Sequence, residues 1–342
     1  MNHRCLAAVL AVFAVVALAP AFATAQSTDA TETPRMPWGA PDLQGVWDFR
    51  SITPMERPEE LADQAFLTPE EAAELEQAAV DRNDELLNRE ARRTVAGRSV
   101  DRGEDGAPGP YNNFWLDRGT TTVGTRRTSL VVDPPTGRVP AMTAAAARRV
   151  AELERARRGV DPHAPTPGGW MEDLGANGLQ LRCITGFNSG PPMTPGGYNN
   201  NVQLFQTENH VVLLNEMNHN ARIVPLERRP RIDLPQWTGD SRGYWDGDTL
   251  VVETTNFLRE TSFMRGNASG NLHLTERFTR VSPDTLLYRA TIDDPTVWSS
   301  TWTYEVPMQL NEQPLYEYAC HEGNYGLYNI MAGALVEYAE EQ

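Results

Sequence analysis

LHLTERFTRVSPDTLLYRATI, residues 272–292, spells out two strands and the turn that joins them. Leu272, Leu274, Glu276 and Phe278 alternate with His273, Thr275, Arg277 and Thr279, the two-residue period of a strand that buries one face. Ser282-Pro283-Asp284 makes the turn, after which Leu286, Tyr288, Ala290 and Ile292 resume the alternation. The same pattern recurs at Val202–Gln206, His210–Glu216, Arg222–Leu226, Thr249–Phe257, Thr301–Val306 and Leu315–Cys320, with Asp246-Gly247 as a further hairpin turn. Short strands joined in this way predict a mainly β protein: an antiparallel meander that forms a barrel or a strongly curved sheet.

The N-terminal half adds to that sheet. Gly45–Phe49 reads as a first strand and Thr128–Val132 as another. Thr68-Pro69-Glu70-Glu71 carries an N-cap, a first-position proline and a capping-box glutamate, and opens a helix that runs to about Glu90. A second helix follows the Thr143 cap over residues 144–158. Both have thin apolar stripes, so both are surface helices. Residues 97–113 and 161–201 are rich in Gly, Pro and Asn and read as long loops. The expected organisation is one β-barrel-like domain over residues 41–342 with a helical and loop arm at 60–200, preceded by a flexible stretch at 26–40.

Residues 1–25 read as a secretory signal: a short basic start, an apolar run over Leu6–Ala19, and Ala23-Thr24-Ala25 as the cleavage site. That address implies a periplasmic or secreted protein. The apolar run falls short of the roughly 20 residues of a membrane helix, and no later stretch reaches that length, so no membrane insertion is expected. Cys5 departs with the signal, leaving Cys183 and Cys320 to form one disulfide in an oxidising compartment. In the chain-entropy account such a bridge contributes about 4 to 5 kcal/mol.

Composition excludes several chemistries. All basic residues are arginine and no lysine occurs, so Schiff-base and phosphate-loop lysine chemistry is ruled out. A formal charge of −16 argues against nucleic acid and anionic membrane surfaces as partners. The expected partner is a small molecule; no organic cofactor is called for.

Two glutamates interrupt apolar strand faces. Glu276 shares a face with Leu274 and Phe278, and Glu216 ends the face of Val212 and Leu214. A carboxylate buried without a partner is costly and is a common way to build a general acid or base. The competing reading pairs each glutamate with an arginine such as Arg222, Arg242 or Arg277. His219 and His321 are the alternates or partners for proton transfer, Arg222 or Arg242 an anion clamp, and Asp240 a further ligand-facing residue on a loop. Tyr288, Trp302, Tyr304 and Tyr318 would line an aromatic pocket. Glu216 and His219 match a Glu-x-x-His spacing, but on a strand the two side chains point apart, so no metal site is assigned. Gly239-Asp240-Ser241-Arg242-Gly243 matches a nucleophile-elbow pattern, yet it leads into a hairpin, which does not suit a serine nucleophile.

Two resemblances rest on these residues. Gly45-Val46-Trp47 at the first strand, together with the meander and export, resembles the lipocalin-type barrels that hold small apolar molecules. RTSLVVDPPTGRVP, GDSRGYWDGDTLVVETTNF, NLHLTERFTRV and YEYACHEGNYGLYNIMAGA resemble a large family of uncharacterised exported bacterial proteins, over most of the chain from Pro41 onward. That resemblance implies export and brings no catalytic residue with it. The expected function is an enzyme of acid-base chemistry, a lyase, hydratase, isomerase or hydrolase, acting on a small, partly apolar molecule. Glu216, Glu276, His219 and His321 are its candidate catalytic residues. The alternative is a non-catalytic carrier of such a molecule.

Overall fold

The computed structural model describes residues 33–88, 116–156, 178–227, 230–231, 233–259, 261–263, 267–268 and 270–340. The signal expected at 1–25, the stretch 26–32, the loop expected at 97–113, the expected helix end at 157–158 and residues 161–177 of the second expected loop lie outside that range. The strands are β1 (Gly45–Asp48), β2 (Val131–Asp133), β3 (Asn201–Gln206), β4 (His210–Asn215), β5 (Ala221–Pro225), β6 (Asp240–Asp246), β7 (Thr249–Thr255), β8 (Ser262–Phe263), β9 (Asn267–Ala268), β10 (His273–Ser282), β11 (Thr285–Asp293) and β12 (Trp302–Asn311). The helices are α1 (Pro69–Asn88), α2 (Ala144–Ala156), the single turn α3 (Gly178–Leu181) and α4 (Tyr325–Glu340). The capping box forms as the sequence predicts: the Glu71 carboxylate accepts from the Thr68 amide, and the Thr68 hydroxyl from the Glu71 amide.

Ten strands make one antiparallel sheet in the order β5-β4-β3-β1-β12-β11-β10-β7-β6, with β2 alongside β12; β8 and β9 pair separately. Two consecutive meanders, β3–β5 and the run from β6 to β12, are joined by β1, which pairs with β3 on one side and with β12 on the other. The inner face carries Trp47, Leu204, Leu213, Phe278, Tyr288, Trp302, Tyr304 and Met308, each almost fully buried. The sheet curls until β5 and β6, its two edges, come close without pairing, which is a strongly curved sheet and not a hydrogen-bonded barrel. Gly243 on β6 makes the approach possible. A Cβ there would stand 2.8 Å from Leu226 Cδ2 and 2.9 Å from Val224 Cγ1.

Several expectations are corrected. Residues 240–246 are strand β6 and not a loop, because Gly243 is required for its lack of a side chain while only Gly239, at φ +69°, acts as a turn residue. On β4 the buried residues are Val211, Leu213 and Asn215, so the inner face has the opposite parity to that expected from Val212 and Leu214. Residues 315–320 form no strand, and β12 runs on to Asn311 instead. The C-terminal helix α4 was not expected; it is apolar on all sides and so shows no amphipathic period, although Asn324 caps it by accepting from the Leu327 amide. Residues 34–37, expected to be part of a flexible stretch, are held in place: Arg35 is fastened to Asp248 and the Asp42 amide donates to the Pro34 carbonyl.

Cys183 and Cys320 are bridged, as the sequence predicts, with Cα atoms 5.8 Å apart. Thiol titration of the unreduced, denatured chain lacking residues 1–25 should find no free thiol, and Cys183→Ser with Cys320→Ser should lower stability by about 2–5 kcal/mol in a urea titration. Gly243→Leu would force the two sheet edges apart, and should cost about 1–3 kcal/mol in the same measurement.

Candidate functional site

The inner polar groups form one network. Arg222 on β5 and Glu276 on β10 are 7% and 0% exposed and make a bidentate pair, with Nη2 2.9 Å from Oε1 and Nη1 on Oε2. The Tyr288 hydroxyl donates to the same Oε1 at 2.9 Å and accepts from the Met193 amide at 3.1 Å. Tyr304 donates to the Met193 carbonyl at 2.5 Å. Ser241 shares a hydrogen bond with Thr254 and accepts weakly from Arg222 at 3.5 Å. The loop that carries Met193 is therefore threaded into the concave face and held there by two tyrosines.

Electrostatics follow from this burial. Desolvation alone would lower the Arg222 pKa, but the charge and hydrogen bonds of Glu276 outweigh it and raise the guanidinium above its ordinary value. Burial first, and then the Glu276 charge, push the Tyr288 phenol well above its usual 10.0; burial does the same for Tyr304. Both phenols bind their protons more tightly folded than unfolded. Their contribution to stability is complete below pH 10 and is lost as pH rises beyond it.

A second group sits at the rim where β4 ends and β5 and β6 begin. Glu216, Met217, Asn218 and His219 make the tight turn between β4 and β5. Asn218 and His219 are both left-handed, at φ +56° and +42°, an uncommon conformation for any residue with a side chain. His219 is exposed, and its ring meets that of His321 with centroids 6.3 Å apart, tilted by 49°. The disulfide brings His321 there: Cys320 is its neighbour, and Cys183 follows α3. Asn218 is 4% exposed, and neither end of its amide has a partner among the described residues.

The sequence-expected residues do not all come together. His219 and His321 meet at the rim. Glu276, Arg222 and Tyr288 meet inside, turned on one another, while Trp302 and Tyr304 are core aromatics beside them, with ring centroids 6.0 Å apart. Of the two early readings of Glu276, the arginine pair is the one the fold builds. Glu216 stands apart from Glu276: it accepts from the Asn201 side chain at 2.8 Å, and Asn201 leaves its strand on the face opposite Val202 and Leu204. Asp240 and Arg242 pair with each other on β6, where Arg242 also donates to the Ser241 and Pro230 carbonyls. Tyr318 lies half-buried just before the disulfide. Ser241 is 6% exposed within a strand, without the elbow geometry of a nucleophile. Among the described residues, no group of three or more His, Cys, Asp or Glu is placed to hold a metal ion, and no helix is long and apolar enough to cross a membrane.

Sequence reasoning missed Asn188, Asn215 and Asn218, whose buried amides define the rim. The repeated asparagines of GYNNN at 197–201 and NEMNHN at 215–220 were the available signal.

Glu276→Gln or Arg222→Leu alone should destabilise the fold by about 3–5 kcal/mol, because each leaves a buried partner without its counter-charge, whereas replacing both by apolar residues should recover much of that loss. The urea midpoint should fall as pH is raised above 10.0, the ordinary tyrosine value, and the fall should be shallower in Tyr288→Phe. A pH-independent midpoint in that range would contradict the raised phenol pKa values. Comparison of the chain with protein-family models, with curated proteins and with solved structures finds no match, so the site stands on its own chemistry.

Proposed function

We propose that the protein is an exported enzyme of acid-base chemistry acting on a small, partly apolar molecule, with His219 and His321 as its proton-transfer groups. The observation that carries this reading is the pairing of two exposed imidazoles from distant segments, one of them held in a left-handed turn and the other tethered by a disulfide. Backbone strain of this kind is retained where the surrounding structure over-determines it, and it concentrates at functional sites. Imidazoles are the side chains best suited to give and take protons near neutral pH. Glu276, whose oxygens are all engaged by Arg222 and Tyr288, holds the fold together in this reading and transfers no proton.

The carrier reading has less support. A lipocalin-like carrier keeps its concave face for the ligand, whereas here Trp47, Phe278, Tyr288, Trp302 and Tyr304 pack against one another and the Met193 loop is bonded into it. Export rests on residues 1–25 and agrees with the disulfide.

The test is a turnover screen by mass spectrometry against small esters, lactones, glycosides and unsaturated acids. His219→Gln and His321→Gln should each lower turnover by about 10²-fold or more, with unfolding midpoints unchanged since both rings are exposed. Full turnover in both variants would overturn the assignment.

A further inference from the structure

No described side chain beyond Met308 is buried, and α4 presents large apolar groups to solvent: Tyr325 is 74% exposed, Tyr328 72%, Leu335 69% and Val336 57%. From Tyr325 to Val336 the helix carries no Asp, Glu, Arg or His, in a protein whose formal charge is −16. Contiguous apolar surface of this extent marks an interaction site.

Although the sequence of α4 has no polar stripe, the fold turns one line of it outward. Tyr325, Tyr328, Ala332, Leu335 and Ala339 are exposed or half-buried at intervals of three, four, three and four residues, the a/d spacing of a helix that packs along another helix. The line also complements itself. Laid antiparallel on a second copy with Ala332 at the two-fold axis, Tyr328 of one copy falls opposite Leu335 of the other, and Tyr325 has the small Ala339 to pack over.

We infer that α4 is a dimerisation helix and that its partner is α4 of a second copy, antiparallel across a two-fold axis. Charge selects this partner. Two copies at −16 repel each other over most of their surfaces, and the uncharged stretch Tyr325–Val336 is where they can approach. The antiparallel sense sets the exposed Glu340 at the end of one helix beside the Asn324 cap of the other, where the helix dipole favours an anion; a parallel pair would bring the two Glu340 carboxylates together. Tyr325, Tyr328, Met331, Leu335 and Val336 together offer roughly 600 Å² per copy, or about 1,200 Å² for the pair, the lower bound of a specific interface. The dimer is therefore weak and depends on concentration.

The experiment is sedimentation velocity on the chain lacking residues 1–25, with its disulfide intact, from ~1 to ~200 µM, the range in which so small an interface assembles. A monomer that converts to a dimer across that range is expected. Leu335→Glu, which sets a charge in the seam, should weaken the dimer tenfold or more, while the unfolding midpoint of the monomer stays unchanged because the side chain is exposed. Ile223→Glu, on the exposed outer face of β5, should leave the dimer as it is. Mild oxidation should cross-link two copies of Ala332→Cys but not of Ala339→Cys, since only residue 332 meets itself in the antiparallel pair. The inference is overturned by a monomer at every concentration, by a dimer that survives Leu335→Glu or is lost in Ile223→Glu, or by Ala339→Cys cross-linking as readily as Ala332→Cys. A monomer that floats with phosphatidylcholine vesicles would overturn it too, by making a membrane the occupant of the helix.

Discussion

The Arg222–Glu276 pair is the interaction on which the rest of the structure depends. Arg222 lies on one edge of the sheet, and Glu276 lies two strands in from the other edge. The bond between them therefore crosses the open seam and takes the place of the β5–β6 ladder that a closed barrel would have. Its energetics are those of a buried ion pair: desolvation of both charges is offset only by close bidentate geometry and by the third donor, Tyr288. The same requirement explains why the Met193 loop enters the concave face. Its amide and carbonyl satisfy the tyrosines that complete the network, so a loop becomes part of the core.

That arrangement separates stability from chemistry. The interior is committed to packing and to a charge pair whose carboxylate oxygens are both engaged, while the rim keeps exposed imidazoles, left-handed backbone and buried amide oxygens without a donor among the described residues. The rim is expensive to fold and the interior tolerates the expense. The disulfide belongs to the same division. Beyond Asn311 the backbone hydrogen bonds among described residues are local, and Cys320 is what fixes His321 opposite His219.

Much of this was legible in the chain. The alternation in residues 272–292 gives both strands, their turn and the inward place of Glu276, because a pleated backbone leaves a side chain no choice of face once its neighbours are buried. The capping box at Thr68–Glu71 and the cysteine pair were equally local or forced. Strand β6 was hidden because a glycine that admits a neighbouring strand looks the same in sequence as one that makes a turn. The β4 parity was misread because Val211, Val212, Leu213 and Leu214 are all apolar, so that run contains no period from which to choose a face. Helix α4 was hidden for a related reason, having no polar stripe.

The sequence by itself determined the class of fold, the disulfide and the exclusion of lysine chemistry, since each follows from local period, residue count or residue type. Only the tertiary structure decided that Glu276 meets Arg222 and not Glu216, that His219 meets His321, and that the carbonyl oxygens of Asn188, Asn215 and Asn218 are buried without a donor among the described residues. Those are contacts between segments far apart in the chain. Their identity depends on the curl of the sheet and on which loop fills it, and neither quantity is written in the spacing of residues along one strand.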